Sequence, residues 1–410
     1  MENKRELITK YMSALALTVT FFSSQVFGGH DLTWLKYILP LFAVGAVWCL
    51  CLIIMDFKGF LQIFKASFLY WIIGMNILIF IYGRIIWVVV EAYARSQHLL
   101  FLSHLLVMVG ILWQERKRLE EIWVLTSVIM LVSESVFVTV YNWHYIVDYL
   151  AGAPFERIGE TPNAGLIETS MTIAFCLLPM IFQLVCKKKW IFIAPIALGM
   201  VVLVMDGSKV GMLVMAATVF VLAVGLPDEK KKRWRNLGIF VAAIAVLTLM
   251  CYMVPVLREA VFNRFADLIH TLITMDMTDM HSSSSRRLQF AVLAFINAWK
   301  HPIFGHGFET FGKRVVGFDT IEYVWPNSHN NFTEIFFSCG LCGVVTYYWF
   351  PILMMVRTIK AKHSYDKLVM TALLMMMVCF DISNISFRKN IIGYVAFTII
   401  YLINKEKAND

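Results

Sequence analysis

The feature that most restricts this chain is a succession of long apolar runs. They fall near residues 11–28, 34–55, 66–85, 98–113, 122–141, 166–186, 190–205, 210–226, 237–255, 331–356, 368–383 and 390–404. A helix needs about 20 apolar residues to cross the hydrocarbon core of a bilayer, and these runs are of that order. Composition points the same way: 59% of the 410 residues are hydrophobic and 16% are charged, where a soluble domain carries about 25% charge. A soluble enzyme, a disordered chain and a disulfide scaffold are thereby excluded. A β-barrel is excluded because the apolar residues come in unbroken blocks rather than in alternation. The expected fold is an all-α polytopic membrane protein, a single integral domain over residues 1–410 with about 12 transmembrane helices.

The eight cysteines lie almost entirely inside these runs, where cysteine behaves as a small hydrophobe. Cys339 and Cys342 form a CxxC, but no second pair accompanies it, so a packing role outweighs a metal or redox role.

Basic residues orient the chain. With the N-terminus inside, the cytoplasmic segments carry Lys4, Arg5 and Lys10, then Lys58 and Lys65, then Arg116 to Arg118, then Lys187 to Lys189. They continue with Lys230 to Arg233 and Arg235, then Arg357, Lys360, Lys362 and Lys367, and end with Lys405 and Lys407. Every short inner loop is basic, which places both termini in the cytoplasm. The first run has a charged leader like that of a signal peptide. Because eleven more runs follow, it reads as a retained span. The net charge of +8 is accounted for by this rim meeting anionic lipid and calls for no nucleic acid.

One connection is different. Residues 256–328 form a long extracytoplasmic loop with a serine run, Ser282 to Ser285, followed by RRLQFAVLAFINAWK. That stretch reads as a serine-capped helix loaded with Phe290, Phe295 and Trp299, lying at the outer interface. The topology also collects Arg84, Arg157, Lys209, Arg287 and His329 at the outer face. Each has an ordinary reading of its own: Arg84 as a snorkelling side chain, Arg157 as a loop charge, Lys209 as part of a turn, Arg287 as a headgroup contact, His329 as a structural histidine. Together, with no outer carboxylate cluster beside them and no DxD or HExxH, they describe a face built for an anion rather than a divalent metal. Arginine forks suit phosphate oxygens and would stabilise a departing pyrophosphate.

Four stretches, SHNNFTEIFFSCGLCG, RLQFAVLAFINAWKHPIFGHGFETF, GSKVGML and FERIGETPNAG, resemble the O-antigen polymerase and O-antigen ligase superfamily of polytopic bacterial membrane glycosyltransferases. SHNNFTEIFFSCGLCG is similar to the family's H-N-x-F, helix and G-x-x-G, through His329, Asn330, Phe332, Gly340 and Gly343. Asn327 stands where the family often has a second histidine. RLQFAVLAFINAWKHPIFGHGFETF resembles an arginine, an amphipathic helix and P-x-x-G-x-G-x-x-x-F, through Arg287, Pro302, Gly305, Gly307 and Phe311. GSKVGML resembles a serine–arginine–glycine turn, with Lys209 replacing the arginine. FERIGETPNAG matches through Arg157, Gly159, Pro162 and Asn163.

The resemblance implies a twelve-span fold with a large outer loop over a cavity. It implies an undecaprenyl-pyrophosphate-linked oligosaccharide donor, with either another lipid-linked repeat unit or a lipid A core sugar as acceptor. The expected activity is polymerisation of repeat units into surface polysaccharide, O-antigen or capsule, at the outer face of a bacterial plasma membrane. O-antigen ligation and lipid-linked oligosaccharide transport (a flippase) are the alternatives. His329 is the expected general base and Arg287 the residue that stabilises the leaving pyrophosphate, joined by Arg157, Lys209 and Arg84. Glu334 and Asn330 are candidate orienters of the histidine. No cofactor or metal is required by this reading. The expected partners are the lipid-linked donor and acceptor, membrane lipid and a chain-length regulator protein. A transporter would not explain SHNNF or the outer segment, and the absence of internal repeats also weighs against one.

Overall fold

The structure is a computed structural model. It describes residues 4–26, 35–82, 92–153, 156–159, 166–227, 229–275, 282–308, 310–312, 315, 327–362, 364–385 and 391–406. Among these residues every regular element is a helix. The apolar runs fall in order on the helices Lys4–Val26, Leu35–Met55, Ser67–Ile81, Ala92–Gln114, Leu119–Tyr141 and Leu166–Lys187. They continue on Ile193–Asp206, Lys209–Gly225, Lys230–Met253, Asn331–Lys360, Ser364–Ser383 and Ile391–Glu406.

Four helical segments are long and apolar enough to cross a membrane: Arg116–Tyr141, Leu166–Lys187, Lys230–Met253 and Asn331–Lys360. Leu39–Met55 and Phe57–Lys65, bent by 102° at their junction, make a fifth candidate if taken as one span. Several of the other apolar helices, such as Ser67–Ile81 and Lys209–Gly225, are shorter. At about 1.5 Å per residue such helices reach about 20–26 Å, less than the core of a typical bilayer. The expected helix positions are therefore matched, while the combination of length and apolar character needed to cross a membrane is met by four or five segments.

Burial follows chemistry. Leu166–Lys187 is the central post, with 78% of its apolar window inside the protein, whereas Lys230–Met253 has 0%. Beyond its basic opening turns the latter is apolar all round, and Ile239, Val246, Leu249 and Met253 point outward, as on a helix solvated by lipid. In the core, Trp71 is fully buried among Tyr347, Phe350, Tyr394 and Phe397, with ring centroids 4.7–5.6 Å away. Its indole also repairs a defect. Pro351 lies inside the Asn331–Lys360 helix and has no N–H for the carbonyl of Tyr347, four residues back. Trp71 Nε1 donates to that carbonyl at 2.8 Å.

The same long helix breaks at Gly340, whose φ of 61° is left-handed. A Cβ there would sit 2.4 Å from the carbonyl carbon of Ile303, so only glycine fits. The break frees backbone groups, and the segment around residues 302–307 satisfies them. His306 N donates to Phe337 O at 2.8 Å and Gly307 N to Ser338 O at 2.9 Å. In return, Leu341 N donates to Pro302 O and Cys342 N to Ile303 O. Gly305 is the counterpart of Gly340, since its Cβ would meet Ser338 backbone at 2.5 Å. The P-x-x-G-x-G and G-x-x-G stretches are thus two halves of one backbone joint. Beside it, Phe290, Ala294 and Ala298 of the Ser283–Ala298 helix pack on Phe311, Phe336 and Phe337 as a small separate core. This fixes the amphipathic helix of the 256–328 segment against the start of the long helix.

Candidate functional site

The site is assembled where helices begin. Ser282 caps the Ser283–Ala298 helix, its hydroxyl accepting from Ser284 N and Ser285 N. The hydroxyls of Ser282 and Ser284 donate to Asp267 at 2.7 and 2.6 Å. Asp267 belongs to the preceding helix, Asn263–Thr274. Lys209, first residue of Lys209–Gly225, donates to Asp267 Oδ2 at 3.1 Å and to Ser284 Oγ at 2.5 Å. The serine run is therefore both a helix cap and a dock. Burial works to raise the Asp267 carboxyl, but the hydrogen bonds from Ser284, Ser282 and Lys209 hold it below the usual carboxylate range.

A second carboxylate lies close by. Asp206 ends the Ile193–Asp206 helix, Gly207 follows with a left-handed φ of 62°, and Ser208 immediately precedes the next helix. Gly207 is required for space too, because a Cβ would come within 2.8 Å of Ala260 O. Arg157 Nε donates to Asp206 O at 2.7 Å, and its Nη2 lies 3.9 Å from Asp206 Oδ1. Ile158 N donates to Met205 O, and Thr169 Oγ1 to Gly159 O. Arg157 is thereby laid across the helix end. Asp206 has no solvent exposure, and neither carboxylate oxygen has a hydrogen-bond partner among the described residues. Burial pushes this carboxyl, at the turn beyond the apolar run, up to about 7, against the pull of Arg157 and Arg264.

Between the two aspartates stand guanidinium groups. Arg264, half-buried, interacts electrostatically with Asp206 and Asp267. Its Nε is buried without a hydrogen-bond partner. Arg287 lies close enough to Arg264 and Arg286 to feel both charges, and Glu168 is the carboxylate that acts on it. Arg286 and Arg287 sit in the opening turns of their helix, near the end that already carries positive partial charge. Cations there add to the helix field instead of cancelling it, which is how an anion seat is made.

His329 completes the group. Its φ of 51° is left-handed, an uncommon state for a residue with a side chain. The loop holds it there: His329 N donates to Asn327 Oδ1, Ser328 Oγ donates to Asn330 O, and Ser328 N donates to Glu334 Oε2, each at 2.9 Å. Asn330 caps the Asn331–Lys360 helix by accepting from Thr333 N and also donates to Ile382 O. Ser338 Oγ donates to the other oxygen of Glu334 at 3.1 Å. Glu334 therefore fixes the backbone one residue before His329. Burial, then the charges of Arg287 and Arg286, lower the imidazole to about 4, so it is neutral, with a free lone pair, at pH 7.

The structure brings Arg287 close enough to His329 for its charge to act on the imidazole. It connects Lys209 to Arg287 and Arg264 by charge and to the same helix start by contact. Arg157 joins through Asp206 and Arg264. Arg84 lies outside the described residues, as do Pro162 and Asn163. Two features differ from the sequence expectation. Asp206 and Asp267 stand among the cations where no acidic cluster was expected, because they come from segments about 60 residues apart. Arg264 joins the site although no motif contains it. For Arg264 and Asp267 the sequence holds only their sharing of one helix face with Ala260 and Thr271, at helical spacing, and Ala260 and Thr271 are buried; Asp206 has no such mark.

Residues 171–348 match a family model described as O-Antigen ligase. The match spans Asp206, Lys209, Arg264, Asp267, Arg287 and His329 and leaves Arg157 outside. No curated protein matches the chain.

Proposed function

We propose, from the premise that residues 171–348 form an O-antigen ligase-type domain in a membrane protein of the O-antigen polymerase and ligase superfamily, that the chain is a polysaccharide polymerase. In this reading about 12 spans place both termini in the cytoplasm and the 256–328 segment outside. The donor is an oligosaccharide repeat unit on undecaprenyl pyrophosphate. The acceptor is the sugar end of a second lipid-linked unit. The acceptor hydroxyl attacks the anomeric carbon, the glycosidic bond forms, and the bond from that carbon to the pyrophosphate oxygen breaks. His329 takes the hydroxyl proton, and the lipid pyrophosphate departs with the electron pair of the broken bond.

The observation that carries this reading is the pair formed by His329 and Arg287. A neutral imidazole lies beside a guanidinium at a helix start, and among the described residues that guanidinium has no hydrogen bond or ion pair. Charge growing on the leaving oxygen would be met there. Arg157 adds charge at the border. Lys209 adds charge from beneath, although its ammonium is already held by Asp267 and Ser284. Glu334 and Asn330 orient the histidine through the loop backbone and the helix cap. Arg84 belongs to the same outer face in this topology, and a chain-length regulator is a candidate partner.

Turnover tests the proposal. Purified protein with a synthetic pyrophosphate-linked repeat unit should yield a ladder of longer glycans and release lipid pyrophosphate. Donor left intact with every acceptor would reject the enzyme and favour a transporter. The description of the family model supports ligation as a second reading. Transfer of one glycan to a lipid A core sugar, without a ladder, would establish that reading in place of polymerisation.

A further inference from the structure

We infer that Arg264 is a direct ligand of the pyrophosphate group, forming a two-guanidinium clamp with Arg287, and that Lys209 is the strut that holds the clamp open. This rests on the reading of the site as a pyrophosphate site and assigns a residue to it that no sequence motif marks.

The argument is one of unmet bonding capacity. A guanidinium has five donors in a fixed fork and cannot be deprotonated in a protein. Arg264 Nε is buried and unpartnered, and among the described residues Arg264 makes no hydrogen bond or ion pair. Arg287 likewise makes no hydrogen bond or ion pair among the described residues. Asp206 and Asp267 reach Arg264 by charge alone, since Asp267 spends its oxygens on Ser282, Ser284 and Lys209. Two like charges that feel each other, each with idle donors, are costly in a partly buried place. An anion with several oxygens between them removes that cost, and a pyrophosphate can accept from both forks.

Lys209 is placed differently. Its ammonium is engaged by Asp267 Oδ2 and by Ser284 Oγ. Arg264 lies one turn before Asp267, and Arg287 one turn after Ser284. The Lys209–Asp267–Ser284 contact therefore fixes the spacing of the two helix starts that carry the arginines. Removing Lys209 should loosen the frame, whereas removing Arg264 should remove donors.

The test uses the purified full-length protein in detergent, with inorganic pyrophosphate as the probe. Calorimetric affinity and competitive inhibition of donor turnover are both read. Arg264→Gln should weaken pyrophosphate binding about 10–100-fold, the value of a charge-assisted bidentate contact. Arg264→Lys should also weaken it about 10-fold, because charge remains while the fork is lost. Lys209→Gln should lower the thermal midpoint while changing pyrophosphate affinity far less than Arg264→Gln does.

Pyrophosphate affinity within about two-fold of wild type in both Arg264 variants would overturn the clamp, whether or not the protein turns over donor. Arg264-dependent binding without any glycan transfer would keep the clamp and reject the transferase reading. A wild-type protein that neither binds pyrophosphate nor turns over donor would reject both.

Discussion

In the proposed mechanism His329 is the base, and its strength depends on its neighbours. In the free protein its imidazole is held at about 4 by burial and by Arg287 and Arg286, so the lone pair is available at any pH above that value. The acid limb of kcat/KM, which reports the free enzyme, should then lie near pH 4. A bound pyrophosphate cancels much of the arginine field, so the limb of kcat should lie higher, toward the ordinary histidine range. A pH–rate series in which both limbs coincide near 6.5 would remove His329 from that role. His329→Ala should lower kcat about 10²–10⁴-fold while the protein keeps its thermal midpoint, measured on purified material. His329→Asn is the better structural control, because asparagine tolerates the left-handed backbone at this position.

At the level of elements, two backbone repairs govern stability. Trp71→Phe keeps the ring packing but leaves the Tyr347 carbonyl without its donor beside Pro351. It should cost about 1–3 kcal/mol, read from thermal or denaturant unfolding in detergent. Gly340→Ala should cost at least as much, since the added methyl meets Ile303 backbone and the left-handed φ becomes strained. Asp267→Asn should lower the thermal midpoint by detaching Lys209 and the serine cap. The Asp267 carboxyl is held below its unfolded value, so its contribution in the wild type is present above the ordinary carboxylate range and is lost as pH falls through that range.

How much of this was legible depends on the distance over which each signal acts. Apolar runs and the Ser282 cap depend on residues adjacent in sequence, and they marked the helices and the Ser283–Ala298 start directly. His329 and Arg287 stood inside recognisable stretches. Asp206, Arg264 and Asp267 acquire meaning only when the turn at Gly207 meets the segment at Ala260, a contact between parts of the chain that carry no shared pattern. Gly305 and Gly340 were visible as motif glycines, but their reason, a mutual close approach of two backbones, was not.

For the molecule as a whole, orientation is the feature that most needs measurement. With the 256–328 segment outside, a cysteine introduced by His270→Cys in a cysteine-free background should react with an impermeant maleimide on intact cells. Lys231→Cys should react only after permeabilisation, because the proposed topology puts it on the basic inner rim. The reverse labelling pattern would invert the site and end the outer-face reading. Finally, the joint between residues 302–307 and the break at Gly340 has a consequence for biogenesis. The Asn331–Lys360 helix enters a bilayer with unmet backbone groups at its break, and hydrocarbon cannot supply them. Its donors and acceptors lie on a stretch made earlier by the ribosome. The loop must therefore already wait at the membrane surface when the last fifth of the chain is inserted. Insertion of that helix and closure of the 302–307 joint are one event rather than two, and a chain interrupted between them would expose its fault to the lipid.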